Sequence, residues 1–270
     1  MSQLPATGLA LVSLIAFSNH LAALPINLGT AARFAVLGGS TVTNTGSTVI
    51  LGDLGVWPGS AITGFPPGIV TGGTTHANDA VAMQAQTDLT TAYIAAASLP
   101  CGTDLSGQDL GGLTLLPGVY CFASSTQLTG ILTLNALADP FSLFVFQIGS
   151  TLTTASNSTV AFTNNGQGGS VFWQVGSSAT LGTGTDFAGN ILALTSITLT
   201  TAASIDCGRA LARNGAVTMD TNRVNTASCA IESSSGGGAV PEPGTAWLLG
   251  FGLLLGVLQV KTQVRRLLRR

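Results

Sequence analysis

Four segments, Thr151-Leu152-Thr153-Thr154-Ala155, Thr180-Leu181-Gly182-Thr183-Gly184, Thr198-Leu199-Thr200-Thr201-Ala202 and Thr218-Met219-Asp220-Thr221-Asn222, can be written beneath one another at offsets of 29, 18 and 20 residues. A period near twenty suits one coil of a β-solenoid, and the longer first step leaves room for a loop around residues 164–169. Strand alternation then assigns sides. If Leu152, Leu181, Leu199 and Met219 point inward, Thr151, Thr180, Thr198 and Thr218 point outward, joined in the next outward column by Thr153, Gly182, Thr200 and Asp220. The column of Thr154, Thr183, Thr201 and Thr221 shares the parity of the leucines, so those hydroxyls are expected to bond at a corner. Stacked coils lie about 4.8 Å apart and alternate residues along a strand about 6.7 Å apart, which sets hydroxyls and methyls on a near-rectangular grid. β-Branching limits χ1 freedom and keeps that grid stiff. Such a surface can order water, yet outward threonine is also what any solvated β face favours, so spacing alone does not name a ligand.

The rest of the composition agrees with many short strands. Thirty-five threonines equal the 35 glycines in a chain of 270 residues, only 7% of which are charged. Between Leu24 and Val240, four arginines stand against ten carboxylates, a net charge of −6 that lacks the basic footprint of a nucleic-acid binder. Of the two histidines, His20 lies in the N-terminal apolar segment and His76 stands alone, so most His-dependent acid–base or metal chemistry is not expected here. The aspartates at 53, 79, 88, 104, 109, 139, 186, 206 and 220 form no paired motif and read as turn caps or surface groups. Nucleophile elbow, phosphate loop and metal signature are all missing, so no catalytic residue, metal or cofactor is expected. A polysaccharide-active β-helix with paired carboxylates is the enzymatic alternative, and it is the less supported.

One segment breaks the β pattern. Residues 77–99 contain neither Gly nor Pro, and Val81, Ala85, Leu89, Ala92, Ala96 and Leu99 recur on one helical face. A helix over about 76–98 is predicted, with Thr75 as its N-cap and Pro100 just past its end. Four cysteines in an exported chain suggest disulfides. Of three possible connectivities, nearest neighbours pair Cys101 with Cys121 and Cys207 with Cys229, each loop adding roughly 3 kcal/mol in the chain-entropy picture. A zinc site is disfavoured because no Cys-x-x-Cys pair is present.

Both ends carry targeting features. An apolar run from Ala6 to Phe17, followed by small residues through Ala23, suits a signal peptide over residues 1–23, although Met1–Leu4 holds no Lys or Arg. Near the other end a Ser/Gly linker (232–239) precedes Val240-Pro241-Glu242-Pro243, an apolar stretch from Thr245 to Val260 and a basic tail over 261–270. Sixteen residues of helix span about 24 Å, slightly short of a bilayer core, which snorkelling arginines would help to bridge. These parts, in this order over residues 240–270, resemble the PEP-CTERM sorting signal of Gram-negative bacteria. The resemblance implies export, an exosortase-type processing enzyme as partner, a transient membrane anchor through a C-terminal transmembrane helix, and delivery to the cell surface, the matrix or the medium.

The body of the chain, a domain over 24–231, carries a second resemblance. Ala35-Val36-Leu37-Gly38-Gly39-Ser40, Gly52-Asp53-Leu54-Gly55-Val56, Leu115-Leu116-Pro117-Gly118-Val119-Tyr120, Val171-Phe172-Trp173-Gln174-Val175-Gly176 and Gly208-Arg209-Ala210-Leu211-Ala212-Arg213 are similar, in order, to the ice-binding-like family. That family implies a mainly β fold, a right-handed discontinuous β-solenoid of triangular section with one long α-helix packed alongside. It also implies adsorption to ice, or ordered water, through one flat face without chemical turnover. The outward Thr151, Thr153, Thr180, Thr198, Thr200 and Thr218 are then the candidate ice-contacting residues. Some members carry a Thr-Ala/Gly-x-Thr/Asn motif there, which Thr45-Gly46-Ser47-Thr48 and Thr154-Ala155-Ser156-Asn157 match, making Thr45, Thr48, Thr154 and Asn157 further candidates. Thr183-Gly184-Thr185-Asp186 and Thr201-Ala202-Ala203-Ser204 depart at the last position, and Asp220 interrupts the grid, so modest activity is expected. The same scaffold could instead serve as a structural or adhesive surface protein, because fold and function are separable.

Overall fold

A computed structural model describes residues 26–226, apart from 140, 165 and 167–169. The strands form two parallel sheets of fifteen and seven strands. Each full coil lays down three strands, one to a side. The larger sheet covers two sides because Asp186–Ala193 and Ser204–Ala212 run unbroken across a corner. At that corner the register slips, Ala188 pairing with Asp206 but Gly189 with Gly208. Cys207 is the extra residue, at φ 51°, and such a bulge bends both strands onto the next side. Gly189 has φ +101°, and a Cβ there would lie 2.8 Å from the Val171 Cβ, so glycine is required on both counts.

The stack is not in sequence order. From Thr103–Asp104 the coils advance through Gly118–Phe122, Phe144–Ile148, Val171–Val175 and the two long strands to Arg223–Asn225. The N-terminal strands then continue the pile, with Val36 paired to Ala210, Thr43 to Thr218 and Val49 to Arg223. A further coil, from Asp53–Val56 through Ala61–Thr63 and Ile69–Thr71 to Thr75–Ala77, lies beyond them. Helix α1 (Ala80–Ser98) must therefore carry the chain the length of the pile. Its 19 residues span about 28 Å, matching the six intervals, about 29 Å, across the seven-stranded sheet.

The helix begins four residues later than Thr75 would have capped it. Thr75–Ala77 is a strand, paired to Asp53–Val56, and the cap is Asp79, whose carboxylate accepts from the Ala82 N–H at 2.8 Å. Ala85, Leu89, Ala92, Tyr93 and Ala96 are buried against Phe34, Leu37, Val145, Phe172, Leu192 and Leu211. Alanine on this stripe lets the helix lie close to the sheet. Polar pins fix its position: the Gln86 amide donates to the carbonyls of Gly38 and Ala212, and the Gln147 amide donates to those of Ala96 and Leu99. The Ala82 N–H and then the His76 side chain hold the Asp79 carboxyl below its ordinary 3.8. Asp79→Ala is expected to cost about 1 kcal/mol in urea unfolding at neutral pH. Because the folded-state value is depressed, that difference is present above the ordinary carboxylate range and shrinks as pH falls through the lowered one.

Inside, the aromatic rings of successive coils stack in register. Tyr120, Phe146 and Trp173 are paired neighbours, with Phe146 and Trp173 centroids 3.9 Å apart, and Phe187 packs 4.9 Å from Trp173. The disulfide Cys101–Cys121 forms as expected, with Cα atoms 5.9 Å apart, where the chain leaves the helix. Cys207 is also disulfide-bonded. Cys229, the leader 1–23, Pro241, Glu242 and Pro243, the apolar stretch 245–260 and the tail 261–270 lie outside the described residues. Among the described residues no helix is long and apolar enough to cross a membrane.

Candidate functional site

Helix α1 and the segment 26–33 cover one side of the solenoid. The second side presents Asp186 and the ion pair of Arg223 with Asp206 (2.8 Å), together with exposed Ile69 and Ile131. The third side is the seven-stranded sheet, which nothing covers among the described residues. Its strands are Thr126–Leu128, Leu152–Thr154, Ala179–Leu181, Ile197–Leu199, Val217–Met219, Thr41–Asn44 and Ala61–Thr63. Pairing places Gln127, Thr153, Thr180, Thr198, Thr218, Thr43 and Thr63 in one outward column. Six consecutive threonines thus project from six stacked strands. On the inner surface Leu152, Leu181, Ile197, Leu199, Val217, Met219 and Val42 are buried in the core, which fixes the outward parity.

Columns of the same parity flank the threonines. Two residues earlier along each strand come Ser125, Thr151, Ser178, Ser196, Ala216, Thr41 and Ala61; two residues later come Thr129, Ala155, Gly182, Thr200, Asp220 and Thr45, whereas Phe65, past the turn at Gly64, packs against the core. Hydroxyl-bearing and very small side chains therefore occupy nearly every outward position. Among the described residues, nothing bonds to the hydroxyls of Thr153, Thr180 or Thr198, which are left to solvent. Thr200 Oγ1 donates to the Leu181 carbonyl at 2.8 Å and Thr151 Oγ1 to Ser125 Oγ at 2.7 Å, so the flanks are more committed to the protein.

Thr180, Thr198 and Thr218 share a column and Thr200 lies in the next, but the first segment is shifted. Leu152 pairs with Ala179 and Thr153 with Thr180, an offset of 27 residues, so Thr153 joins the central column and Thr151 the serine-rich one. The small Ala179 takes the inward place opposite Leu152, which the Thr-Leu pattern does not reveal. Two of the motif residues do not face outward. Thr48 is fully buried, donating to Asn44 Oδ1 at 2.5 Å, and Thr154 is 3% exposed, bonded to Thr185 Oγ1 at 2.7 Å. The four-residue motif turns the corner, so its ends fall in the core at these positions, while Thr45 and Asn157 stay exposed. Thr43 and Thr63 belong to the column but come from the N-terminal coils, outside the four-segment repeat. Their signal was the alternation in Thr41-Val42-Thr43 and Ala61-Ile62-Thr63.

Two carboxylates touch this surface. Asp220 lies in a flanking column, where hydrogen bonds from Thr201 Oγ1 (2.6 Å) and then Thr221 Oγ1 (3.1 Å) hold its carboxyl below the ordinary value and keep it ionised. Asp109 borders Gln127 at the rim. Partial burial pushes its carboxyl up, but donation from the N–H groups of Gly111 and Thr129 and from the Gln127 amide outweighs this.

The family model described as Ice-binding-like matches residues 36–225. The chain belongs to the ice-binding-like family. A protein named "Ice-binding protein" from Nostoc sp. (strain HG1) is 59% identical to this family member over 260 residues, covering 96% of this chain and 95% of its own. The crystal structure of an ice binding protein from an Antarctic Biological Consortium matches with a TM-score of 0.72 at 47% identity, over 83% of this chain and 96% of that one. That of an ice-binding protein from the ascomycete Antarctomyces psychrotrophicus matches with a TM-score of 0.71 at 43% identity, over 74% and 97% respectively. Beyond the ice-binding-like domain, a PEP-CTERM protein-sorting motif matches residues 239–266.

Proposed function

We propose that the protein is a non-enzymatic ice-binding protein whose right-handed, triangular solenoid adsorbs to ice through the outward face of the seven-stranded sheet. The observation that carries this reading is the column of six threonines, Thr153 to Thr63, on the uncovered side. Threonine pairs a methyl with a hydroxyl on a stiff χ1, so each strand holds water at a fixed height and the methyls exclude competing hydration geometries. A surface already carrying ice-like water merges with the crystal, and the pinned front grows only between adsorbed molecules. The sorting motif supports export, exosortase processing and retention at the surface or matrix, with the apolar stretch 245–260 as a transient anchor. The test is inhibition of ice recrystallisation by the purified domain, alongside a polysaccharide panel assayed for new reducing or unsaturated ends. Inhibition without sugar release is expected; absence of inhibition would leave a surface scaffold, and sugar release would make the protein an enzyme.

Asp220 limits this face. An ionised carboxylate holds its own hydration shell and is costly to press against ordered water. Asp220→Thr is expected to inhibit recrystallisation at a lower concentration than wild type. Because the Asp220 carboxyl lies below its ordinary 3.8, wild-type activity should stay flat between neutral pH and about pH 5.

A further inference from the structure

The coil of residues 34–51 rests on the coil ending at Asn225 without following it in the chain, so Thr43, Thr45 and Thr63 keep their places in the face only through what crosses that seam. Backbone pairing crosses on all three sides. At the corner beside the threonine face there is also a buried side-chain relay. The Asn222 amide Nδ2 donates to the carbonyls of Thr200 (2.7 Å) and Ala203 (2.9 Å) in the coil on one side. On the other, the Asn222 backbone N–H donates to Thr48 Oγ1 (3.0 Å), and Thr48 Oγ1 donates to Asn44 Oδ1. Asn44 Nδ2 passes the link to the carbonyls of Gly46 (2.6 Å) and Gly64 (2.9 Å), the latter in the coil beyond. Asn222, Thr48 and Asn44 are 3%, 0% and 6% exposed. Four coils, two from each side of the seam, are thereby joined along the edge of the face. The equivalent positions in the sequential coils hold Thr185 and Ser158, which bond to Thr154, Ala155 and Leu128 without crossing any seam.

We propose that Asn44, Thr48 and Asn222 are positioning residues that hold the N-terminal threonines coplanar with the C-terminal ones, an inference that rests on the ice-adsorption reading above. A buried relay has fixed bond lengths, and losing the Thr48 hydroxyl strands the Asn222 N–H in a dry corner. The turn 44–48 then relaxes away from residues 220–222, moving Thr43 and Thr45 out of plane. A gap of only 0.5–1 Å forfeits roughly a quarter to a half of a van der Waals contact, so a small tilt removes those residues from the adsorbed surface.

The experiment is a double-mutant cycle read as partition of the folded protein into a growing ice crystal. In the wild-type background Thr43→Tyr and Thr198→Tyr should each lower partition, by about tenfold, equivalent to roughly 1.4 kcal/mol. In the Thr48→Val background, where size is kept and the hydroxyl lost, Thr43→Tyr should bring no further loss while Thr198→Tyr still does. Thr48→Ser should restore the wild-type response, and Thr185→Val should leave the Thr43→Tyr loss intact although it deletes a comparable buried hydroxyl. Thr48→Ala, which removes the same acceptor of the Asn222 N–H, gives a second route to the same result if Thr48→Val fails to fold. A full Thr43→Tyr loss in the Thr48→Val or Thr48→Ala background overturns the proposal. If Thr198→Tyr has no effect in the wild-type background, the ice-face assignment itself is wrong and the inference falls with it.

Discussion

Thr198→Tyr is expected to remove most ice adsorption, raising the concentration needed to stop recrystallisation at least tenfold, with little change in thermal stability. Thr198 stands between Thr180 and Thr218 in the central column, with strands to both sides. A phenol ring there rises above every neighbouring methyl and holds the rest of the face off the crystal. Dispersion contacts fall steeply with separation, so one protrusion at the centre costs the contacts of the whole grid. The Thr198 hydroxyl makes no bond within the described protein and its side chain faces solvent, so removing it breaks nothing in the fold. Gln127→Tyr, at the rim of the same column, should cost much less, since the remaining threonines can still meet the crystal by a slight tilt. A recrystallisation series on the two variants checks both expectations.

Trp173→Ala should destabilise the domain by about 3–5 kcal/mol, the range for emptying a large aromatic site in a core. Trp173 is fully buried, lies parallel to Phe146 at 3.9 Å, meets Phe187 at 4.9 Å and donates from Nε1 to the Ala188 carbonyl at 3.0 Å. Truncation leaves a cavity and removes a hydrogen bond to the Ala188 carbonyl beside the Gly189 corner, where two sides of the solenoid meet. For a domain of this size the melting temperature should fall by roughly 6–20 °C, measured by near-ultraviolet circular dichroism. Below that lowered melting point the variant should still adsorb to ice, because the threonine face lies on another side. Loss of adsorption from a folded Trp173→Ala domain would mean that face geometry depends on the core more globally than the coil-by-coil picture allows.

The repeat of Thr-Leu pairs was legible because an inward leucine and an outward threonine are fixed by strand alternation, and alternation survives any choice of register. Register itself was not. Ala179 opposite Leu152 leaves no mark in a Thr-Leu pattern, and two outward columns of equal parity are interchangeable until pairing is known. The helix face was read from spacing, but its start was not, because Thr75 and Asp79 are both good caps and only the strand Thr75–Ala77 decides between them. The seam was the largest omission in the local pattern. Thr43 lies 175 residues in sequence from Thr218, the column partner it meets across the seam, and no local period reports contacts brought about by a helix returning the chain to the far end. Thr48 looks identical to a surface threonine in sequence, yet the corner turns it inward to bond Asn44, whereas the leucine parity of Thr154 already marks its hydroxyl for a bond at the corner.

The central claim, that ice is met by the seven-stranded face and by no other, is tested most directly by coating single ice crystals with fluorescently labelled domain. Wild type and Thr133→Tyr, which places the same bulk on the charged second side, should cover the crystal equally, whereas Thr180→Tyr and Thr218→Tyr should leave it dark. Coverage by the Thr180→Tyr and Thr218→Tyr proteins, or its loss only with Thr133→Tyr, would contradict the account.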